Sequence, residues 1–146
     1  MPSERAGLTT PAGSAAAGTA PSFLAFDPQG RYLYALDEVD DGRVSSFAID
    51  RATGALTPLG GAPSAGVGPA HLSVDATGRW LLVANSSRFT GGNGTLTLFD
   101  LPPGKPAKLL QTLPAGAFPR NISASPDNKT LYVTIFNGDQ IMVVTH

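Results

Sequence analysis

The chain has 146 residues, of which 42% are hydrophobic and 14% charged, which suits one folded domain with a buried core and excludes disorder throughout. Ten Lys and Arg against eleven Asp and Glu give a formal net charge of −1, no footprint for nucleic acid or an anionic membrane surface. There is no cysteine, so disulfides, a thiolate nucleophile and a zinc–thiolate site are all removed.

Seventeen glycines and thirteen prolines interrupt the chain so often that long amphipathic helices have little room, while strands of five or six residues fit easily. The first expected element is a strand over residues 6–11, Ala6-Gly7-Leu8-Thr9-Thr10-Pro11, followed by a small-residue loop over 11–20. A strand over 23–26 then enters a turn of the form Asp-x-x-Gly-Arg at 27–31. Its Asp can accept hydrogen bonds from turn backbone, and its Gly accepts a positive φ. Strands over 31–36 and 43–49 flank an acidic hairpin at 37–42, and a fourth strand covers 54–59. After a connection at 61–68 the order returns, with strands near 72–74, 80–84, 95–101 and 108–113 and a hairpin at 87–94. A third round follows Pro119, with strands over 131–135 and 140–144 joined by Asn137-Gly138, a strong hairpin signal.

The return is a true repeat. The phrase beginning Gly18-Thr19-Ala20-Pro21 aligns without a gap with that beginning Gly66-Val67-Gly68-Pro69, and again with Gly116-Ala117-Phe118-Pro119, at offsets of 48 and then 50 residues. Such a period marks a propeller blade or a solenoid unit. Naming the strands of each unit A to D, residues 6–11 align with the D strand at 54–59, and no D strand follows the last C. The order is D, ABCD, ABCD, ABC. The expected fold is therefore all-β, a single propeller segment of three four-stranded blades at about 20–60, 68–113 and 118–146. The strand at 6–11 completes the last blade of a neighbouring chain, as propellers do when they close a ring. Two chains joined head to tail would make a six-bladed homodimeric ring; the alternative is a piece of a larger propeller.

The phrase Pro21-Ser22-Phe23-Leu24-Ala25-Phe26-Asp27-Pro28-Gln29-Gly30-Arg31-Tyr32-Leu33-Tyr34-Ala35 resembles a blade opening of the β-propeller lactonases, whose best-known members act as 6-phosphogluconolactonases. Gly68-Pro69-Ala70-His71-Leu72-Ser73-Val74-Asp75, followed by Leu82-Val83-Ala84-Asn85, is similar to the next blade. Phe118-Pro119-Arg120-Asn121 through Leu131-Tyr132-Val133-Thr134 is similar to blades of the YVTN type. The resemblance runs from about residue 8 to 144. It implies a propeller and a hydrolase acting on a sugar lactone, with no cofactor. The family's ring has seven blades where this chain has sequence for three, and the Gly-Pro-His-x-His stretch of many members is missing.

Lactone hydrolysis needs a base to activate water and a donor for the developing oxyanion. Residues at the start of strand A approach the mouth of a propeller's channel. His71 stands there, where the other blades carry Phe23 and Asn121, and is the candidate base. Arg120 and Asn121, at the matching place in the third blade, are candidates to hold the carbonyl oxygen or an acidic substrate group. Glu38 and Asn85, after strand B in their blades, match the family's Asn-Glu and Ala-Asn positions and are candidate pocket-edge residues. The bland readings stand beside these: a hydrogen-bonded seam histidine, turn-forming polar residues, and a terminal, solvated His146. The acidic group Asp37, Glu38, Asp40 and Asp41 lacks the ligand spacing of a calcium loop and reads as a solvated hairpin, with no metal expected. Arg31, Arg79 and Lys129 recur at one repeat position in the A-to-B turns and read as a solvated rim. The rival to a lactonase is a non-catalytic propeller module serving as a binding or self-assembling scaffold. No apolar run resembles a signal peptide or a membrane span, so a cytoplasmic location is expected.

Overall fold

The computed structural model describes residues 7–145. Among the described residues eleven strands form three antiparallel sheets, each a simple up-and-down run. The first sheet holds β1 (Pro21–Phe26), β2 (Tyr32–Asp37), β3 (Arg43–Ile49) and β4 (Leu56–Pro63) in that spatial order. The second repeats it with β5 (Pro69–Val74), β6 (Trp80–Asn85), β7 (Asn93–Asp100) and β8 (Lys108–Ala117). The third has three strands, β9 (Pro119–Ala124), β10 (Thr130–Ile135) and β11 (Gln140–Thr145), with β11 at its outer edge. Contacts between sheets concentrate on the first strands, β1 beside β5 and β5 beside β9, so the three sheets spread from a shared inner line. That is the arrangement of propeller blades.

Successive residues of a strand point to opposite faces, so each blade has a face toward the blade before it and a face toward the blade after it. Apolar residues on both faces are what two seams require. Tyr34, Leu36 and Val44 of the first blade pack with Leu72, Leu81, Val83 and Phe99 of the second. Leu82, Ala84 and Leu96 of the second pack with Ile122 and Val133 of the third. β2 and β6 are buried along nearly their whole length because both of their faces are covered.

Local chemistry fixes where each strand begins. In the first A-to-B turn the buried carboxylate of Asp27 accepts the N–H groups of Arg31 (2.5 Å) and Tyr32 (2.9 Å). Asp75 does the same for Arg79 and Trp80, at 3.0 and 2.9 Å. The third blade has Ser125 at that place, whose hydroxyl accepts the Thr130 N–H at 3.1 Å. The seams also rely on glycine. A Cβ on Gly94 would run into Pro119 and the Asn85 carbonyl, and a Cβ on Gly42 would run into Pro69. Both prolines, which open the next blade's inner strand, are fully buried there.

The outer strands run further than the sequence suggests. β4 continues through Gly60 and Gly61 to Pro63, and β8 reaches Ala117, each passing a register shift opposite its C strand. At the shift in β4 the register passes over Leu59, beside Gly60, whose φ of 106° an ordinary residue rarely adopts. Residues 7–20 form no strand within the single chain, so the third sheet keeps three strands. Ala6, the first residue of the expected N-terminal strand, lies outside the described residues, as does His146.

Candidate functional site

All three blades contribute to one cleft of about 230 Å³ at the start of their inner strands. Phe23 and Glu38 come from the first blade, Ala70, His71 and Arg88 from the second, and Phe118, Arg120 and Asn121 from the third. The repeat explains the convergence. Phe23, His71 and Asn121 occupy one repeat position, just after the Pro that opens each inner strand, so any chemistry placed there meets its neighbours.

His71 is half-buried, and its ring lies against that of Phe23 with centroids 4.2 Å apart at 56°. Its Nδ1 accepts the backbone N–H of Ile122 at 3.2 Å, a bond across the seam between the second and third blades. Burial holds the imidazole pKa below its ordinary value, so the ring is neutral at pH 7. An Nδ1 that accepts leaves the neutral ring's proton on Nε2. His71 therefore offers its surroundings a donor. Serving as a base through Nδ1 would mean breaking the seam bond.

Charge enters from the flanks. The Glu38 carboxylate, largely buried, pairs with Arg88 at 3.0 Å across fifty residues of sequence. Arg88 in turn lies over the Phe89 ring at 4.8 Å. Arg120 sits over Phe118 and Phe136, at 5.9 and 5.3 Å, and the two rings are themselves tilted together at 5.2 Å. Aromatic faces hold a guanidinium in place by cation–π attraction without neutralising it. Among the described residues no carboxylate pairs with Arg120. Asn121 is exposed, and its backbone N–H is held by the Thr134 hydroxyl at 3.1 Å.

Of the residues expected from sequence, His71, Arg120, Asn121 and Glu38 line the cleft and Asn85 does not. Asn85 is fully buried, its Nδ2 donating to Thr97 Oγ1 at 2.8 Å, Thr95 Oγ1 at 3.2 Å and the Ser64 carbonyl at 3.5 Å. Asp37, at the same repeat position, turns inward and accepts the Ala20 N–H at 2.6 Å. This position tethers the loop that leads into its own blade, which is why a polar residue ends strand B there. Arg31 and Arg79 stack over Tyr32 and Trp80, outside the cleft. Arg88 and Phe118 were not evident as site residues. The one available signal for Arg88 was its charge, opposite to Glu38 in the preceding blade's equivalent hairpin.

A family model described as lactonase, 7-bladed beta-propeller, matches residues 2–111. Among solved structures, the periplasmic gluconolactonase of Pseudomonas aeruginosa is similar at 28% identity and a TM-score of 0.70, over 86% of this chain and 35% of that one. A protein from Lactobacillus plantarum gives 26% identity and a TM-score of 0.74, over 86% and 37%. A candidate 6-phosphogluconolactonase from Bacteroides uniformis gives 23% identity and a TM-score of 0.76, over 86% and 36%; at that identity the likeness speaks for the fold alone. This chain thus spans little more than a third of these structures. No curated protein sequence matches it. Among the described residues no helix is long and apolar enough to cross a membrane. The P. aeruginosa protein is periplasmic, so the cytoplasmic expectation finds no support in that relative.

Proposed function

The chain belongs to the lactonase family of 7-bladed β-propellers, and on that footing we propose that its three-blade cleft binds a sugar lactone and hydrolyses the ring. The observation that supports this most is the convergence of a neutral imidazole, an unpaired guanidinium and a carboxylate, each from a different blade, around one opening. Glu38 is the base. Its carboxylate takes a proton from water while Arg88 holds it in position, and the water oxygen attacks the lactone carbonyl carbon. The tetrahedral oxyanion forms against Arg120, with Nε2–H of His71 as a second donor and the Asn121 side chain beside a substrate hydroxyl. As the carbonyl re-forms, the ring C–O bond breaks, and the departing alkoxide recovers the proton from Glu38. The product is an open hydroxy acid, whose carboxylate Arg120 also favours.

This assignment gives His71 a donor's part, consistent with Nδ1 being occupied by Ile122. The test is acid release from a sugar δ-lactone at constant pH, with the 146-residue protein and its Glu38→Gln variant. A positioned base contributes about 10²–10⁴-fold, so the variant should fall by at least about 100-fold with its strand signature unchanged. A wild-type rate equal to that of buffer would leave the cleft as a binding site of a non-catalytic propeller. A Glu38→Gln rate equal to wild type would remove Glu38 from the reaction.

A further inference from the structure

A hairpin of the second blade carries Arg88 to the cleft, and one buried hydroxyl fixes its course. Ser86, 1% exposed, donates its Oγ–H to the Gly68 carbonyl at 2.7 Å and accepts the Arg88 backbone N–H at 3.2 Å. The second bond closes a side-chain turn over Ser87, whose φ of 53° lies in the left-handed region that a residue with a Cβ seldom enters. The Gly68 N–H donates to the carbonyl of Val39 at 3.1 Å, and Val39 follows Glu38 in the first blade. With the Arg88–Glu38 pair at 3.0 Å, these bonds form a closed circuit. It runs from Glu38 through Val39, Gly68, Ser86 and Arg88 back to the Glu38 carboxylate.

The repeat shows that the backbone does not require this hydroxyl. Phe136, which has none, stands at the equivalent place in the third blade. Its N–H donates to the Phe118 carbonyl at 2.8 Å, and the Asn137 N–H donates to that of Ala117 at 3.1 Å. Ser86 and Ser87 make the same two bonds, to Gly68 and Val67, each at 2.9 Å. Phe118 also shares the left-handed backbone of Gly68, with φ of 63° against 60°. In the first blade the Glu38 N–H makes the corresponding bond to Ala20 at 2.9 Å. What the Ser86 hydroxyl adds to this shared frame is its hold on Arg88. We infer that Ser86, which does not itself line the cleft, is a positioning residue that acts through Arg88 to set where the Glu38 carboxylate stands. Its catalytic consequence rests on the hydrolysis proposed above, whereas the contact itself rests on the circuit of hydrogen bonds alone.

Ser86→Ala removes the hydroxyl and leaves the backbone frame that the third blade keeps without one, so the fold should persist by circular dichroism. In acid release from a sugar δ-lactone, kcat should fall by about 10–100-fold, the order that a misplacement of about 1 Å costs. KM should stay within about 2-fold, since the lost interaction serves the transition state and not binding. On an Arg88→Gln background the same substitution should cost less than about 2-fold, because the residue through which it acts is gone. The carboxyl carbon-13 resonance of Glu38 gives a readout independent of turnover. The chain has two glutamates, Glu4 and Glu38, so selective labelling gives two signals, and Glu38→Gln identifies the one. That signal should move in Ser86→Ala in the direction it moves in Arg88→Gln. Should Ser86→Ala fail to fold, Ser86→Cys, whose sulfur is a weaker acceptor, replaces it. A Glu38 signal unmoved by loss of the hydroxyl overturns the inference, as does a loss of kcat that multiplies with that of Arg88→Gln. A wild type without hydrolysis would count against the reading of the cleft, and the Glu38 signal would still decide for or against the positioning.

Discussion

His71 lines the cleft and at the same time holds a seam of the fold. Its Nδ1 accepts a backbone N–H from the next blade and its ring covers Phe23. Because burial lowers its pKa, an unfolded chain with an ordinary imidazole pKa near 6.5 binds a proton that the folded chain refuses. The stabilisation is fully present above about pH 6.5 and is lost as pH falls toward the folded value. Denaturant unfolding at about pH 7.5 and about pH 5 should show a lower midpoint in acid for wild type. His71→Phe, the residue found in the first blade, should abolish most of that difference. It should also unfold more easily at pH 7.5 by roughly 1–3 kcal/mol, since the Ile122 N–H loses its acceptor. An unchanged acid slope would mean that the imidazole titrates as freely in the folded protein as out of it. His71, Arg120 and Asn121 were legible as a group because repeat alignment superimposes inner-strand positions, and Glu38 through its place after strand B. Asn85 was misplaced for a matching reason: alignment gives a position along the strand, and only packing decides whether the side chain meets solvent or the loop before its own blade. Arg88 was illegible because the Glu38 pair joins two hairpins fifty residues apart.

Elements are set by a few repeated contacts. Asp27 anchors the start of β2 by accepting two backbone N–H groups while buried. Asp27→Ala leaves both donors without that acceptor and should cost about 2–3 kcal/mol by chemical denaturation. Asp127→Ala should change stability far less, because in the third blade the Ser125 hydroxyl holds the Thr130 N–H. Equal losses would contradict this division of roles. At the seam, Gly94→Ala must push a methyl against Pro119 and the Asn85 carbonyl, and overpacking of that kind costs about 1–3 kcal/mol. Hydrogen exchange should report the loss first in β7 and β9, and exchange unchanged in both would show that the seam gives way freely. The strands themselves could be read from sequence because turn residues bracket them at every repeat. Their outer extensions could not. Gly60, Gly61, Pro114 and Gly116 look like loop chemistry, and only pairing with β3 and β7 through a bulge makes them strand.

At the scale of the whole molecule, the inner strands of three blades place one residue each at a common opening, and chemistry gathers there because topology does. The repeat made the all-β propeller architecture readable before any coordinates, since each unit supplies two apolar faces that only neighbouring blades can cover. The cleft's eight lining residues come from all three blades. The proposed hydrolysis turns on the Arg120 guanidinium, which lies against the rings of Phe118 and Phe136. Removing one preorganised donor from an oxyanion site costs about 10²–10³-fold in turnover. The most direct measurement is acid release from a sugar δ-lactone near pH 7, wild type against Arg120→Ala, with folding matched by circular dichroism. Hydrolysis well above the buffer rate that falls by about 100-fold or more in the variant is the predicted result, and turnover indifferent to the loss of Arg120 would contradict it.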